Sequence, residues 1–328
     1  MHLKPEPEDI DINAPSKPLQ KYGHLSQKIP EFVAAESAII VGYSKLRACP
    51  DFPAVREAAG DPDAPLPPGG PVRGRDVVSE LVEFPARDGT LIELKVYKSP
   101  SVVQDATLMY RMHGGGWSVG RREVDGAENV FAAANPNIVV VTTNIAGAPE
   151  HPFPQPLHDS YWVNIFWYCK KNARALGVNP EKIILSGSSA GANLSFTSPP
   201  VCHPIFFPRE KYEFSSYIQN SDNCVLSTLM MEAALDAYMP HPEPDSRHSP
   251  LLADSLEGLS SALIQCAGDD ILRDDAFAYA EALQTAGVEV EVYGFAGVPH
   301  CFPAILLNIS ETAIFYERYN RFLEKHAK

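Results

Sequence analysis

The sequence predicts an α/β protein built on a mostly parallel central sheet with helices on both faces. Two observations carry that reading. Four short runs, ATLMYRM (106–112), NIVVVTT (137–143), KIILSG (182–187) and SALIQCAG (261–268), are almost continuously apolar, as strands covered on both faces are. Helical stretches punctuate them, and strand–helix alternation sustained over a long chain produces a parallel sheet. A chain of 328 residues, 45% hydrophobic and 21% charged, is large enough to bury such a core.

The elements follow in order. Residues 1 to about 18 are dominated by acids and prolines, which cannot offset the entropy of ordering, so a poorly ordered arm is expected. From 22 to 49 apolar residues recur at mixed helical spacing, and GDPDAPLPPGGP (60–71) reads as a linker by its Pro/Gly content. Residues 1–75 are therefore expected to hold the arm, a small helical element separate from the core, and the linker. Residues 76–328 form the main domain. Within it VVSELVEF and TLIELKVY alternate apolar and polar residues around the turn ARDGT, the pattern of a hairpin. A helix over 159–176 places Trp162, Phe166 and Cys169 on one stripe and stops at Gly177; another, 274–286, stops at Gly287. VEVEVYGF supplies a further strand, and a final amphipathic helix uses Phe315, Tyr319 and Phe322.

Composition excludes several functions. Against 27 Lys+Arg stand 41 Asp+Glu, a formal charge of -14, so the overall field repels nucleic acid. The cysteines Cys49, Cys169, Cys202, Cys224, Cys266 and Cys301 form neither a C-x-x-C pair nor a zinc-like cluster and read as reduced thiols. The segment MHLKPEPEDIDINAPSKPLQ is charged where a signal peptide is apolar, and no apolar run approaches the roughly 20 residues that span a bilayer. A cytoplasmic protein with no membrane partner is expected; a homodimer is left open.

Four motifs carry chemistry. GSSAG (187–191) fits G-x-S-x-G with Ser189 at its centre, where small flanking residues let a strand turn sharply into a helix and leave the serine exposed. A Ser/Gly loop is the bland alternative, but a buried strand precedes this motif and a helix can follow it. HGGGW (113–117) follows the strand ATLMYRM, and three glycines free the backbone to aim N–H groups at a developing oxyanion. Asp270 in AGDDILRDD and His300 in VPHCF each follow a strand, so both can project from the sheet edge that carries Ser189. The order Ser, Asp, His is that of the α/β-hydrolase arrangement. Asp269, Asp274 and Asp275 compete with Asp270 for the acid's place.

Together with APEHPFP (148–154), the motifs HGGGW, GSSAGANLS, AGDDILRDD and VPHCF resemble the hormone-sensitive-lipase-like family of α/β-hydrolases, the esterases with an HGGG loop. The resemblance covers roughly residues 80 to 328. It implies an α/β-hydrolase fold with a helical cap, built partly from the N-terminus and partly from a second segment at about 206–250. It further implies a serine carboxylesterase that hydrolyses a small or medium ester through an acyl-enzyme, without metal or organic cofactor. Carried over by motif, Ser189 is the nucleophile, His300 the general base and then acid, and Asp270 the residue that orients His300. The amides of Gly115, Gly116 and Ala190 form the oxyanion hole, with Gly114 as the alternative donor. Amide hydrolysis, acyl transfer and elimination remain alternatives on this fold, as does an inactive binding protein, against which the survival of Ser189, Asp270 and His300 argues.

Three departures stand out. Ser188 precedes the nucleophile where many relatives carry an acid. Ile145, Ala146 and Gly147 replace a tyrosine, an arginine and a leucine, so the polar brace of that arginine is absent and packing beneath the oxyanion loop is expected to differ. Most consequential, Pro199 and Pro200 arrive 10 and 11 positions after Ser189, too soon for a crossover helix and the next strand. FTSPP reads as the scar of a deletion of roughly 20 residues. Beyond it Phe206, Phe207, Tyr212, Tyr217, Met230, Met231 and Tyr238 serve either a substrate pocket or a cap core.

Overall fold

Alternating and continuous apolar patterns become strands of two kinds. The computed structural model describes residues 21–85, 91–160, 168–169, 171–195, 214–243 and 245–327. In chain order come α1 (Pro30–Arg47), α2 (Phe52–Ala58), β1 (Val78–Pro85), β2 (Leu91–Lys98), β3 (Ala106–Met112), α3 (Gly126–Ala133), β4 (Ile138–Thr143), α4 (Gln155–Ser160), α5 (Ala173–Leu176) and β5 (Val178–Gly187). Then follow α6 (Ala190–Ser195), α7 (Ser215–Gln219), α8 (Thr228–Tyr238), β6 (Ala262–Asp269), α9 (Arg273–Thr285), β7 (Val290–Pro299), α10 (Phe302–Ile305) and α11 (Ser310–His326). The chain divides into two compact units: Met1–Ala48 with Phe196–Asp236 and Pro240–Glu311, and Cys49–Ser195 with Ala237–Met239 and Thr312–Lys328.

The unit that contains Ser189 is organised by a five-stranded sheet in the order β1-β2-β4-β3-β5. The amphipathic hairpin β1–β2 is antiparallel, and β2 joins β4 in the same sense. The apolar strands β3 and β4 are buried along their whole length; they pair in parallel, and β3 also pairs in parallel with β5. The parallel core is therefore extended by an antiparallel edge. C-terminal α11 turns Tyr316, Tyr319, Phe322 and Leu323 inward, and Tyr316 stacks on Phe131 of α3 at 3.8 Å. Phe315, expected on that inward stripe, is half-buried and meets Tyr316 edge-on.

The other unit is centred on the parallel pair β6–β7, linked by the crossover helix α9. Ile264, Cys266, Phe277, Tyr279, Leu283 and Val288 form its core cluster, and Tyr22 stacks on Phe277 at 3.8 Å. The mixed spacing of α1 has a structural meaning: only Phe32 and Ile39 are buried. Its start is fixed by the Ile29 amide donating to the Gly297 carbonyl at 3.1 Å.

Some sequence expectations change. Over 159–176 the turn at Asn172, whose φ is -107°, sets α5 apart as a short helix ending at left-handed Gly177; Trp162 and Phe166 lie outside the described residues. Strand β5 begins at Val178 rather than Lys182, and β7 runs on to Pro299. Tyr217 and Met231 are buried core side chains, while Phe206, Phe207 and Tyr212 lie outside the described residues. No helix among the described residues is long and apolar enough to cross a membrane.

Helix α6 has six residues, and FTSPP lies outside the described residues. Among the described residues strand β5 is the edge of its sheet, and its apolar Ile183, Ile184 and Leu185 are only half-buried, unlike their counterparts in β3 and β4. Inserting a helix–strand unit of roughly 20 residues after Ser195 supplies the second partner that β5 lacks among the described residues. The expected result is a higher melting temperature; an unchanged one would show that β5 is fully satisfied as an edge.

Candidate active site

Ser189 sits where β5 ends and α6 begins, with φ of 52°. A non-glycine residue in the left-handed region stores strain, of order 1–3 kcal/mol. Its flanking glycines explain how the turn closes. A Cβ on Gly187 would run into the carbonyl group of Gly191, and a Cβ on Gly191 into the carbonyls of Met112 and His113. Two hydrogen bonds lock the turn, from the Gly191 amide to the Ser188 carbonyl at 2.8 Å and from the Asn193 amide to the Ser189 carbonyl at 3.1 Å.

The HGGGW loop follows β3 in the same unit. Gly115, Gly116 and Trp117 have φ of 118°, 55° and 54°, an unusual run of positive values that reverses the chain and turns successive amides to one side. Gly114 packs against Ser188, whose Oγ would lie 2.9 Å from an added Cβ. The amides of Gly115, Gly116 and Ala190 donate to no backbone carbonyl outside regular elements among the described residues. Trp117 ties loop to elbow: its indole N–H donates to Asn193 Oδ1 at 3.1 Å, and its ring stacks on Tyr238 at 4.6 Å.

His113 anchors the base of this loop as a neutral ring, because burial pushes its pKa down. The Ile145 amide donates to Nε2 at 3.1 Å, so Nε2 is the unprotonated nitrogen and Nδ1–H donates to the Gly114 carbonyl at 2.8 Å. Residues 145–147 border a small cavity that His113, Gly114, Trp117 and Ser118 also line. The polar brace comes instead from Arg56 of α2, whose guanidinium reaches the Ser118 and Ala148 carbonyls.

In the other unit His300 directly follows β7, and Asp270 directly follows β6. Their side chains meet, His300 Nδ1 to Asp270 Oδ2, at 2.6 Å, while Asp270 Oδ1 accepts the Leu272 amide at 2.9 Å. The competing acids are engaged elsewhere. Asp269 accepts from Asn223 Nδ2 at 2.8 Å. Asp274 takes Arg273 Nε at 2.7 Å and the Ser216 amide at 2.9 Å, beside an Arg273 that is 0% exposed. Asp275 is buried on α9. Burial opposes a charged His300, and the Asp270 carboxylate together with Cys301 overcomes it, so the pKa of His300 stands well above its ordinary value.

Behind the elbow lies a polar network that no sequence motif announced. Ser188 Oγ donates to Asp125 Oδ1 at 2.6 Å, so the acid missing from position 188 is delivered by the loop after HGGGW. Arg111 of β3 donates through Nε to Asp125 at 3.1 Å and through Nη1 to Ser186 Oγ at 2.7 Å. Burial works against the Arg111 charge, and Asp125 together with Tyr319, Glu128 and Tyr316 more than offsets it. Glu128 is buried nearby, with no partner for Oε2 among the described residues. Its pKa is pushed up to about 7 by burial, which outweighs the pull of Arg111. A charged residue inside an apolar strand, as Arg111 is in ATLMYRM, was the available sign of this network.

Comparison with known proteins places the chain in a family. Residues 109–304 match the family Abhydrolase_3, described as alpha/beta hydrolase fold. The chain is 34% identical over 221 residues to carboxylesterase NlhH of Mycobacterium tuberculosis, covering 62% of this chain and 68% of that protein. To carboxylic ester hydrolase LipN of the same species it is 30% identical over 254 residues, covering 71% and 66%. Among solved structures, an ester hydrolase from the metagenome of Lake Arreo superposes with a TM-score of 0.76 at 22% identity, covering 92% of this chain and 99% of the other, which speaks to the fold alone.

The raised pKa of Glu128 has a sign in stability. The fold favours its protonated form, so the stabilisation is present below the ordinary value of 4.5 and is lost as pH rises to about 7. Glu128→Gln keeps the shape and removes the cost of ionisation. It is expected to melt above the parent protein at pH 8 and near it at pH 4; an equal offset at both pH values would contradict the assignment.

Proposed function

This chain belongs to the hormone-sensitive-lipase-like family of α/β-hydrolases and is a serine carboxylic ester hydrolase, and on that footing we propose that Ser189 attacks the ester carbonyl. His300 takes the proton of Ser189 Oγ, and Asp270 holds His300 in the tautomer that can do so. The tetrahedral oxyanion is received by the amides of Gly115, Gly116 and Ala190, with Gly114 as the alternative donor. His300 then returns its proton to the departing alcohol, leaving an acyl-enzyme on Ser189. Water, activated by the same histidine, releases the acid and regenerates the serine. The loss of one oxyanion donor is worth about 2.7 to 4 kcal/mol of transition-state stabilisation in sites of this kind.

The observation that carries the reading is Ser189 itself, held at φ of 52° between glycines that admit no side chain. Strain of this kind persists where the surrounding structure over-determines it, and a serine there has its hydroxyl presented rather than packed away. The substrate class follows from charge. A chain of formal charge -14 disfavours polyanionic esters and favours an uncharged or weakly charged one, and the apolar cap region suits a small or medium size. The N-terminal helices and the 206–250 segment serve as its cap, and a reducing cytoplasm suits the unpaired cysteine spacing.

Two experiments test the roles. Ser189→Ala should abolish turnover of a short p-nitrophenyl ester while the melting temperature holds; persistence of turnover would remove Ser189 from the mechanism. The neutral form of His300 is the one that accepts a proton, and its pKa is raised. The acidic limb of kcat/KM should therefore lie above the ordinary imidazole value of about 6.5. Asp270→Asn should move that limb down while lowering the plateau by orders of magnitude, and a limb left in place would separate Asp270 from His300 function.

A further inference from the structure

We propose that Arg56, on the short N-terminal helix α2, is a positioning residue for the oxyanion loop. Helix α2 is set in place by Asp51, whose side chain accepts the Ala54 amide at 2.9 Å, and Arg56 lies in its last turn. The guanidinium spends its donors on one neighbourhood. Nε donates to the Ser118 carbonyl at 2.6 Å and Nη2 to the Ala148 carbonyl at 2.9 Å. The pair Nη1 and Nη2 grips Glu150 at 3.0 and 2.6 Å.

Both carbonyls belong to residues whose own amides hold the loop. The Ser118 amide donates to the Gly115 carbonyl at 3.1 Å, and the Ala148 amide donates to the Trp117 carbonyl at 2.8 Å. Arg56 therefore stands one peptide behind Gly115 and one behind Trp117, the residues that bound the run of positive φ. A planar fork with fixed donor directions sets two carbonyls relative to each other in a way a flexible ammonium does not. Carbonyl orientation in turn fixes where the amides of the same turn point.

Gly147 is shaped to this contact. A Cβ there would lie 2.8 Å from Arg56 Nη2, 3.0 Å from Nε and 3.0 Å from the Ser118 carbonyl oxygen. The guanidinium occupies the space that a side chain at 147 would fill. The small residues of NIAGAPE and the distant arginine of α2 are thus two halves of one device. A second clamp runs alongside, where Arg121 pairs with Glu57 at 3.5 Å. The proposal rests on the assignment of Gly115, Gly116 and Ala190 as oxyanion donors.

The test uses the full chain and compares the parent with Arg56→Ala, Arg56→Lys and Gly147→Ala. Arg56→Ala should lower kcat on a short p-nitrophenyl ester by roughly 10 to 100-fold with KM little changed, and weaken a trifluoromethyl ketone inhibitor in parallel. Arg56→Lys should not restore the rate, whereas added guanidinium ion at millimolar concentration should restore part of it in Arg56→Ala. Gly147→Ala should reproduce the loss, and the double variant should lose no more than either single one. Hydrogen exchange over 113–120 is read on the same proteins and should speed up in Arg56→Ala. A parent protein without esterase activity would overturn the functional reading, and the exchange measurement would then decide the brace alone. Unchanged exchange, or unchanged kcat in an active parent, would overturn the role of Arg56.

Discussion

The left-handed serine at the end of β5 is the constraint on which the rest depends. Ser189 holds φ of 52°, and such a conformation survives only where the neighbouring backbone leaves no alternative. Here the neighbours are backbone on every side: Gly187 lies against Gly191, and Gly191 against the carbonyls of Met112 and His113. The end of β3 and the end of β5 are thereby pressed together, which is why the loop leaving β3 and the helix leaving β5 form one site. Asn193, accepting from the Trp117 indole, closes that site on its far side.

Close approach of this kind needs support from behind, and the support is polar. Arg111, near the end of a fully buried strand, bonds to Ser186 beneath the elbow and to Asp125 beyond the glycine loop. Asp125 also takes the Ser188 hydroxyl. A buried arginine in such a setting tolerates little loss, because removal of one partner leaves its charge unpaired. The polar network holds the elbow to Asp125, and Arg56 of α2 holds the stretch after the glycine loop to the segment at Ala148. Among the described residues, the sheet lacks a strand beside the outer edge of β5.

Local chemistry was legible in the sequence, and long-range chemistry was not. Strand β3 begins and ends where its mostly apolar run does, because both of its faces are buried. The elbow, the glycine loop and the His–Asp order were legible because each is a short motif whose backbone demands specific residues. Strand β5 was longer than its apolar run, since Val178 and Asn179 pair with β3 ahead of a register break that skips the polar residues before Ile183. Asp270 could not be told from its neighbours Asp269, Asp274 and Asp275 by position; the 2.6 Å contact with His300 and the separate partners of Asp269 and Asp274 make the distinction. Arg56 and Asp125 were invisible because a guanidinium 62 residues from its carbonyl, or a carboxylate 63 residues from its hydroxyl, leaves no pattern along the chain.

The central claim is that this chain holds an activated serine at position 189 despite the short connection that follows it. Labelling the intact protein with a fluorophosphonate probe, followed by peptide mapping, tests folding and nucleophilicity together. The account predicts covalent capture at Ser189, abolished by prior heat denaturation and by His300→Ala. Capture at another residue, or no capture by a folded protein, would contradict it.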